Sequence, residues 1–194
     1  MKKYLSSAIA FVIMLGTVQS QHTNIGIKGG LNGYTVKGNS NANYTPKLGL
    51  NLGVLAHIHL SKKFALQPEI VFSVQGTKYT SNGKNVDLQL KYVNIPILFQ
   101  YMFENGFRLE LGPQVGILTG AKNKVDDFKT NVNSSFKSVD LGLAVGMSYV
   151  RPATGFGFDI RYNHGLTNIN TNNTFNTFNR GVQVGLFYLF QHKA

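Results

Sequence analysis

The sequence has no cysteine and no tryptophan, and it contains far fewer acidic than basic residues. Without cysteine the chain can form neither a disulfide nor the acylated cysteine of a lipoprotein. Beyond residue 20, no apolar run reaches the roughly 18 residues that a transmembrane helix needs. The formal net charge is +11, but the lysines are scattered and match no nucleic-acid recognition motif. We therefore expect no nucleic-acid partner, and either attraction to anionic lipid headgroups or simple solubility explains the charge.

The first residues have the pattern of a signal peptide. Lys2 and Lys3 form a basic start, followed by the apolar run "AIAFVIMLG" and by the small residue Ser20. An N-terminal membrane anchor is the alternative, but the apolar run is too short to span a bilayer comfortably. The sequence thus predicts a signal peptide over residues 1–20 and one domain over residues 21–194.

Apolar and polar residues alternate through the rest of the chain, as they do in strands that point successive side chains to opposite faces. The connections after the second, fourth and sixth strands are short. The others are longer and polar, at 33–46, 77–85, 121–136 and 168–179. Short turns at one end and longer loops at the other are typical of outer-membrane barrels. The eight segments that alternate are 23–32, 47–58, 64–76, 87–101, 107–119, 137–149, 156–167 and 180–190.

These patterns predict an all-β fold, an eight-stranded antiparallel up-and-down transmembrane β-barrel. The expected location is the cell outer membrane, with both termini in the periplasm. One face of each strand is apolar, and the other combines charged residues with glycines spaced four apart, such as Gly142 and Gly146. Glycine leaves room for long side chains in a barrel this narrow, so the second face should line the lumen.

The charged residues on the predicted inner face are nearly balanced in sign. Buried charges persist when they are paired and hydrogen-bonded, so we expect a structural charge network that plugs the lumen. Its predicted members are Lys28, Glu69, Arg108, Glu110, Asp140, Asp159 and Arg161.

Aromatic residues cluster near both ends of the predicted strands, which predicts two girdles at the membrane interfaces. The short-turn girdle would contain Phe64, Phe99, Tyr101, Phe103, Phe107, Tyr149, Phe156, Tyr188 and Phe190. The long-loop girdle would contain Tyr34, Tyr44, Tyr79, Tyr92, Phe136 and Tyr162. Pro68, Pro96 and Pro113 interrupt three strands, and β-bulges are the available way to absorb them. The alternation of the fourth strand also changes phase near Tyr92.

Several stretches, taken in order along the chain, resemble the PorT-like outer-membrane β-barrel family of Bacteroidetes. They include "FALQPEIVFSVQG" at 64–76, "YVNIPILFQY" at 92–101, "LGPQVGILTG" at 111–120 and "NRGVQVGLFYLF" at 179–190. The resemblance covers essentially the whole chain after the signal peptide and includes the three prolines. It implies an eight-stranded outer-membrane barrel. One member of that family is associated with secretion and gliding machinery, but no motif here assigns that role.

The residues favour a barrel with an envelope structural, scaffold or loop-mediated binding role, and a link to secretion machinery stays open. The expected partners are outer-membrane lipids, the barrel-assembly machinery during insertion, and an envelope protein that the sequence does not name. A periplasmic lipocalin-like binder is the main alternative, but it would need the apolar face inside, around a ligand.

A lipid-modifying enzyme is the remaining alternative, and we expect the protein not to be an enzyme. Catalysis would need a nucleophile beside a base, and no triad can be placed around His164. His57 and His59 share a strand face, but without a nearby cysteine or carboxylate they predict no metal site. No cofactor is expected.

Overall fold

A computed structural model of the chain describes residues 23–38, 44–81, 83–126, 128–172 and 176–190. The predicted signal peptide, residues 1–20, lies outside these ranges. Among the described residues, no helix is long and apolar enough to cross a membrane. The same residues contain one short 3-10 turn, Asn133–Ser135. Their strands are β1 (Thr23–Gly38), β2 (Thr45–His59), β3 (Phe64–Ser81), β4 (Lys84–Met102), β5 (Phe107–Val125), β6 (Phe128–Asn131), β7 (Val139–Val150), β8 (Phe156–Gly165) and β9 (Thr177–Leu189).

Eight of these strands close into an antiparallel ring, which confirms the predicted fold. Each strand of the ring pairs with its neighbours in the chain, except that β5 pairs with β7 across the short β6. The first and last strands pair with each other over a long register, from Gly26–Leu189 to Gly38–Thr177. β6 lies outside the ring and extends only the far end of β5. The closed ring leaves no unpaired edge along its barrel wall.

The strands reach well beyond their predicted ends on the long-loop side. β1 continues to Gly38, β5 continues to Val125, and only two residues separate β3 from β4. Much of each predicted loop is therefore a strand, and the predicted loops 33–46, 77–85 and 121–136 are wrong in these parts. The abundant Gly, Asn and Lys residues indicate loops by composition. However, Val86 continues the two-residue alternation of Leu88 and Leu90 in the predicted fourth strand, and all three are buried.

The two faces of the ring differ in chemistry as the alternation predicts. Large apolar side chains point outward and are exposed, with Leu48 at 81% and Leu52 at 69%. Lys28, Glu69 and Arg161 point inward and are each 2% exposed. An exposed apolar band of this extent is the surface that a hydrocarbon environment would cover.

Near the long-loop end, the outward-facing side chains of β4 change from apolar to polar. On β4 the outward residues are apolar from Tyr101 to Val93, and then become Lys91, Gln89 and Asp87. The inward residues keep one parity throughout, so the expected change of phase near Tyr92 is not a change of β4 backbone orientation. It is a change in which face is apolar. The apolar band therefore ends between Val93 and Lys91 on this strand.

A β-bulge lies at the same level on β5. Tyr92 pairs with Leu118, but Lys91 pairs with Gly120, so Thr119 is an extra residue. A bulge reverses which face later side chains occupy. Beyond it Ala121 is buried, and Lys122 points outward and is exposed.

The three prolines do not create bulges, contrary to the expectation that bulges would absorb them. Pro68 pairs with Ile97, and the β3–β4 register is the same on either side of the gap that follows. Pro96 pairs with Gln114 and Pro113 with Leu143, again without a shift of register at either proline. Each proline lacks the N–H of a ladder hydrogen bond, and the neighbouring pairs keep the strands aligned.

The aromatic residues form a girdle at the short-turn end, but two of the six predicted for the long-loop girdle lie inside the barrel. At the short-turn end the rings touch in series, as in the stacked pair Phe64–Phe99 with centroids 5.3 Å apart and the edge-on pair Tyr101–Phe103 at 5.0 Å. At the other end Tyr34 and Tyr92 are inside the barrel, at 2% and 1% exposure. The predicted long-loop girdle is therefore wrong for these two residues. They share the parity of inward residues on β1 and β4.

Candidate functional site: the barrel lumen

The lumen contains a layer of buried ion pairs drawn from strands on opposite sides of the ring. Lys28 comes from β1, Glu69 from β3, Glu110 from β5, and Asp159 and Arg161 from β8. Each is 2–3% exposed. The alternation of each strand points these side chains inward, and the ring brings their ends together.

Arg161 is the centre of this layer. Its Nη1 and Nη2 donate to the two carboxylate oxygens of Glu69, both at 3.0 Å. Its Nε and Nη2 also donate to Oε1 of Glu110, at 3.0 and 2.8 Å. The planar guanidinium has donors in a fixed fork, which suits simultaneous binding of two carboxylates. Arg161 thereby joins β8 to β3 and β5 across the lumen.

Lys28 extends the layer on the other side of Glu69. Its Nζ lies 3.2 Å from Glu69 Oε2 and 3.1 Å from Asp159 Oδ2. Uncharged side chains complete the carboxylates' hydrogen bonds. Gln67 Nε2 donates to Glu69 at 2.8 Å, and Gln100 Nε2 donates to Glu110 at 2.9 Å. Hydrogen bonds of this kind offset the desolvation of buried charges.

Arg108 is buried on the same face of β5 as Glu110, but its recorded side-chain contact is different. Its Nη1 lies 3.4 Å from Nδ1 of His57, whose ring packs edge-on against that of His59 at 4.5 Å. Arg108 supplies a third positive charge to set against Glu69, Glu110 and Asp159. The buried layer is therefore balanced, with three charges of each sign.

Asp140 does not join the ion pairs. Its Oδ1 accepts from Thr167 Oγ1 at 2.8 Å, and its Oδ2 accepts from Asn179 Nδ2 at 2.9 Å. It lines a polar layer with Tyr34, Asn163 and other amide side chains, nearer the long-loop end. The structure thus brings Lys28, Glu69, Glu110, Asp159 and Arg161 into contact, and leaves Arg108 and Asp140 to other partners.

Glycine makes room inside the barrel, but for an aromatic ring as well as for charged groups. A Cβ on Gly181 would lie 2.5 Å from the ring of Tyr34, so the ring packs directly on the glycine backbone. At Gly185 the nearest atom to such a Cβ would be Oδ2 of Asp159, at 3.2 Å. Like Gly142 and Gly146, these two glycines are spaced four apart on the face that the sequence predicts to line the lumen.

An apolar cluster closes the lumen beyond the polar layer. We call it the apolar plug. Sequence reasoning missed it because Val36, Ala121 and Ile169 lie in predicted loops, and because Leu88 and Leu90 lie on a predicted strand whose apolar side chains were expected to face lipid. The signal that could have found it is the alternation of Val86, Leu88 and Leu90. Tyr44, Tyr79 and Phe136 pack against the plug from its rim. Its buried members are Val36, Leu88, Leu90, Tyr92, Ala121 and Ile169.

His57, His59 and His164, the histidines within the described ranges, show no metal-binding arrangement. Across the part of the chain that the structure describes, no group of three or more His, Cys, Asp or Glu side chains could hold a metal ion. His164 contacts the outward Tyr162, with its Nδ1 3.3 Å from the Tyr162 hydroxyl. The inward His57 belongs to the Arg108 contact described above.

The sequence matches the family model described as "Outer membrane protein beta-barrel domain" over residues 19–171, so the chain belongs to this family of outer-membrane barrels. Among curated proteins, none matches the chain. Its fold is similar to the crystal structure of Neisserial surface protein A, with a TM-score of 0.56 at 12% identity over 86% of this chain and 98% of that one. It is also similar to Ail of Yersinia pestis in complex with the heparin analogue sucrose octasulfate. There the TM-score is 0.54 at 14% identity over 87% and 99% of the two chains.

The family and the fold place this protein in the outer membrane. The exposed apolar side chains, such as Leu48 and Leu52, therefore face lipid, and the charged layer faces the lumen. A lipocalin-like binder would require the opposite assignment of faces.

Proposed function

We propose that this protein is a non-conducting outer-membrane barrel that serves as a scaffold or binding surface through its long-loop end. In this proposal that end faces the outside of the cell and both termini lie in the periplasm. It is a structural role rather than an enzymatic one. No contact among the described residues favours the lipid-modifying alternative.

The observation that carries the proposal is the crosslink made by Arg161. From β8 it binds Glu69 on β3 and Glu110 on β5, so one guanidinium occupies the width of the lumen. An eight-stranded barrel has an interior only just wide enough for side chains. The apolar plug fills the lumen again, nearer the long-loop end. A hydrated ion would have to displace both layers.

The long-loop end supports the binding role because strands, rather than flexible loops, form much of it. β3 and β4 continue as a paired ladder to Ser81 and Lys84. A surface on paired strands is held in place by backbone hydrogen bonds, which lowers the entropy lost when a partner binds. The likeness to Ail at 14% identity concerns the fold alone, so the ligand bound by Ail is not assigned to this protein.

The test is ion conductance across a planar lipid bilayer containing the full-length folded protein. We expect no steady conductance above that of the protein-free bilayer. Insertion would be verified on the same sample by the heat-modifiable gel mobility of the recovered barrel. Steady conductance through an inserted wild-type barrel would contradict the proposal, because it would require a continuous wet path past Arg161 and the apolar plug.

A further inference from the structure

Lysines gather on the outer surface of β3–β6, immediately beyond the apolar band. Cross-strand pairs define rows along this surface. Phe72, Val93 and Ile117 form the last wholly apolar row. Lys91 stands in the next row, beside Val74 on β3. We call the lysines beyond the apolar row the lysine patch, and its members are Lys78, Lys91, Lys122, Lys124 and Lys129.

The bulge at Thr119 creates much of this patch. Even-numbered side chains of β5 point inward as far as Leu118, so an unbroken strand would turn Lys122 and Lys124 toward the apolar plug. The extra residue reverses the parity, and both lysines are exposed on the outside. Bulges often redirect a side chain for a purpose, and here the redirected side chains are both cationic.

Lys91 and Lys122 line one concavity at the bulge. It has a volume of about 170 Å³ and lies between β4, β5 and the chain that follows β6. Gln89 and Asn131 also line it and offer amide groups, while the Thr119 hydroxyl donates to the Lys91 carbonyl. Two lysines beside amide groups are suited to an anion with several oxygen atoms, such as a phosphate.

The two lysines that line the concavity have no ion-pair partner among the described residues. Within the described ranges, Lys78, Lys91 and Lys122 have no carboxylate oxygen within 4.0 Å, the distance limit of an ion pair. Asp87 lies in the row of Lys78 and Lys124, but its carboxylate is ion-paired with Lys47. Lys91 and Lys122 therefore present cations that no carboxylate of the described residues neutralises.

We propose that the concavity of Lys91 and Lys122 binds a phosphate of a membrane lipid headgroup. The position selects a lipid, because Lys91 is two residues, or about 7 Å along the strand, beyond the lipid-facing Val93. That is the depth at which headgroups meet a barrel wall. The choice of the outer leaflet rests on the proposed orientation of the long-loop end, but binding of the phosphorylated headgroup does not.

The experiment measures binding of fluorescent lipid A, a phosphorylated glycolipid, to the folded full chain in mixed nonionic micelles. The variant is Lys91→Gln with Lys122→Gln, and the matched control is Lys62→Gln with Lys63→Gln at the short-turn end. Each lysine near an anionic surface contributes about fivefold in affinity, so we expect the double variant to bind about 25-fold more weakly. The control should bind as the wild type does.

Two further probes identify the source of the phosphate. Lipid A from which the phosphates have been removed should bind the wild type about as weakly as lipid A binds the double variant. Inorganic phosphate should compete only poorly, because it lacks the acyl chains that hold the headgroup at this depth. Equal binding of lipid A to the wild type and the double variant would overturn the proposal. Tight competition by inorganic phosphate would overturn the assignment to lipid.

These outcomes are separate from those of the conductance test. A conducting barrel could still lose lipid A affinity on replacement of Lys91 and Lys122, and a closed barrel could fail to bind lipid A. Heat-modifiable mobility of each variant shows that it is folded before binding is compared.

Discussion

At the scale of single residues, Arg161 links strands across the barrel interior. It makes four hydrogen bonds to two carboxylates, and the carboxylates belong to strands that do not neighbour its own. A buried ion pair adds little over an apolar pair of the same shape, but removal of one partner leaves the other charge uncompensated. The expected effect of a substitution therefore depends on which charges remain.

We predict strong coupling between Arg161 and Glu110. Arg161→Met should lower the free energy of unfolding by roughly 3–5 kcal/mol, because Glu69 and Glu110 both lose a partner in a dry site. Adding Glu110→Gln should cost less than the sum of the two single changes. Urea unfolding in lipid vesicles, followed by heat-modifiable mobility, gives the three free energies of the double-mutant cycle.

Asp140 supplies the matched control for this cycle. Its recorded partners are Thr167 and Asn179, so Arg161→Met and Asp140→Asn should be additive within about 0.5 kcal/mol. Additivity for both pairs would mean that the inner carboxylates are separately hydrated. In that case the layer of buried ion pairs would contain water and would not block the lumen.

The partners of Arg161 could not be predicted from the sequence, although its inward direction could. Alternation along β8 points Arg161 and Asp159 to one side, and the structure agrees. The choice of Glu69 depends on the curvature that brings β3 opposite β8, and no local pattern encodes that distance. The same reason explains Arg108, which was expected to pair with an acid and instead has its recorded contact with His57.

At the scale of strands, β4 passes through two environments along its length. β4 sends Val93 to Tyr101 outward into lipid, and sends Asp87 to Lys91 outward beyond it. The inward side is mixed in the lipid-facing part, with Asn94, Leu98 and Gln100, and is apolar at Leu88 and Leu90. On β4 the inner face is thus apolar where the outer face becomes polar.

This division predicts where a charge is tolerated on the outer face. Leu141→Arg and Ile160→Arg lie in the apolar band, and each should cost about 2–4 kcal/mol near the midplane and less toward an interface. Gln89→Arg, beyond the band, should be within about 0.5 kcal/mol of the wild type. The measurement is the fraction of heat-modifiable, folded protein across a urea series in lipid vesicles. Tolerance at Leu141 and Ile160 together with damage at Gln89 would reverse the assignment of the two zones.

The division also explains which parts of the fold the sequence could reveal. All eight barrel strands were predictable, because alternation persists through the lipid-facing part of each. The extensions were missed because their apolar residues point inward, whereas those of the lipid-facing part point outward. Leu88 and Leu90 are inward, although the apolar residues of the lipid-facing strands had been assigned to the outside. The predicted fourth strand therefore began at residue 87, too late by three residues, and Leu88 and Leu90 were expected to face lipid.

At the scale of the whole molecule, the two ends of the barrel differ, and this difference determines what each end can contact. The short-turn end carries the aromatic girdle, and the long-loop end carries the apolar plug and the lysine patch. We propose that the long-loop end is outside, and an epitope inserted after Gly83, in the β3–β4 turn, tests this. We predict that antibody labels that epitope on intact cells, because the turn is exposed at the long-loop end.

The matched insertion follows Lys62, in the turn between β2 and β3 at the opposite end. It should be labelled only after the outer membrane is permeabilised. Labelling of the Lys62 epitope on intact cells, without labelling of the Gly83 epitope, would reverse the orientation. Both insertions lie in turns outside the strand ladder, so backbone pairing of the barrel is preserved.

The pairing of β1 with β9 constrains how the barrel can fold and insert into the membrane. Ile27 pairs with Tyr188, so the two strands that close the ring come from opposite ends of the barrel sequence. Contacts this distant in sequence form late, because a long loop must close before they gain anything. Until β1 and β9 pair, each has an unpaired backbone edge, which hydrocarbon cannot satisfy. Insertion therefore has to keep both edges out of the lipid core until they pair, and their pairing completes the barrel.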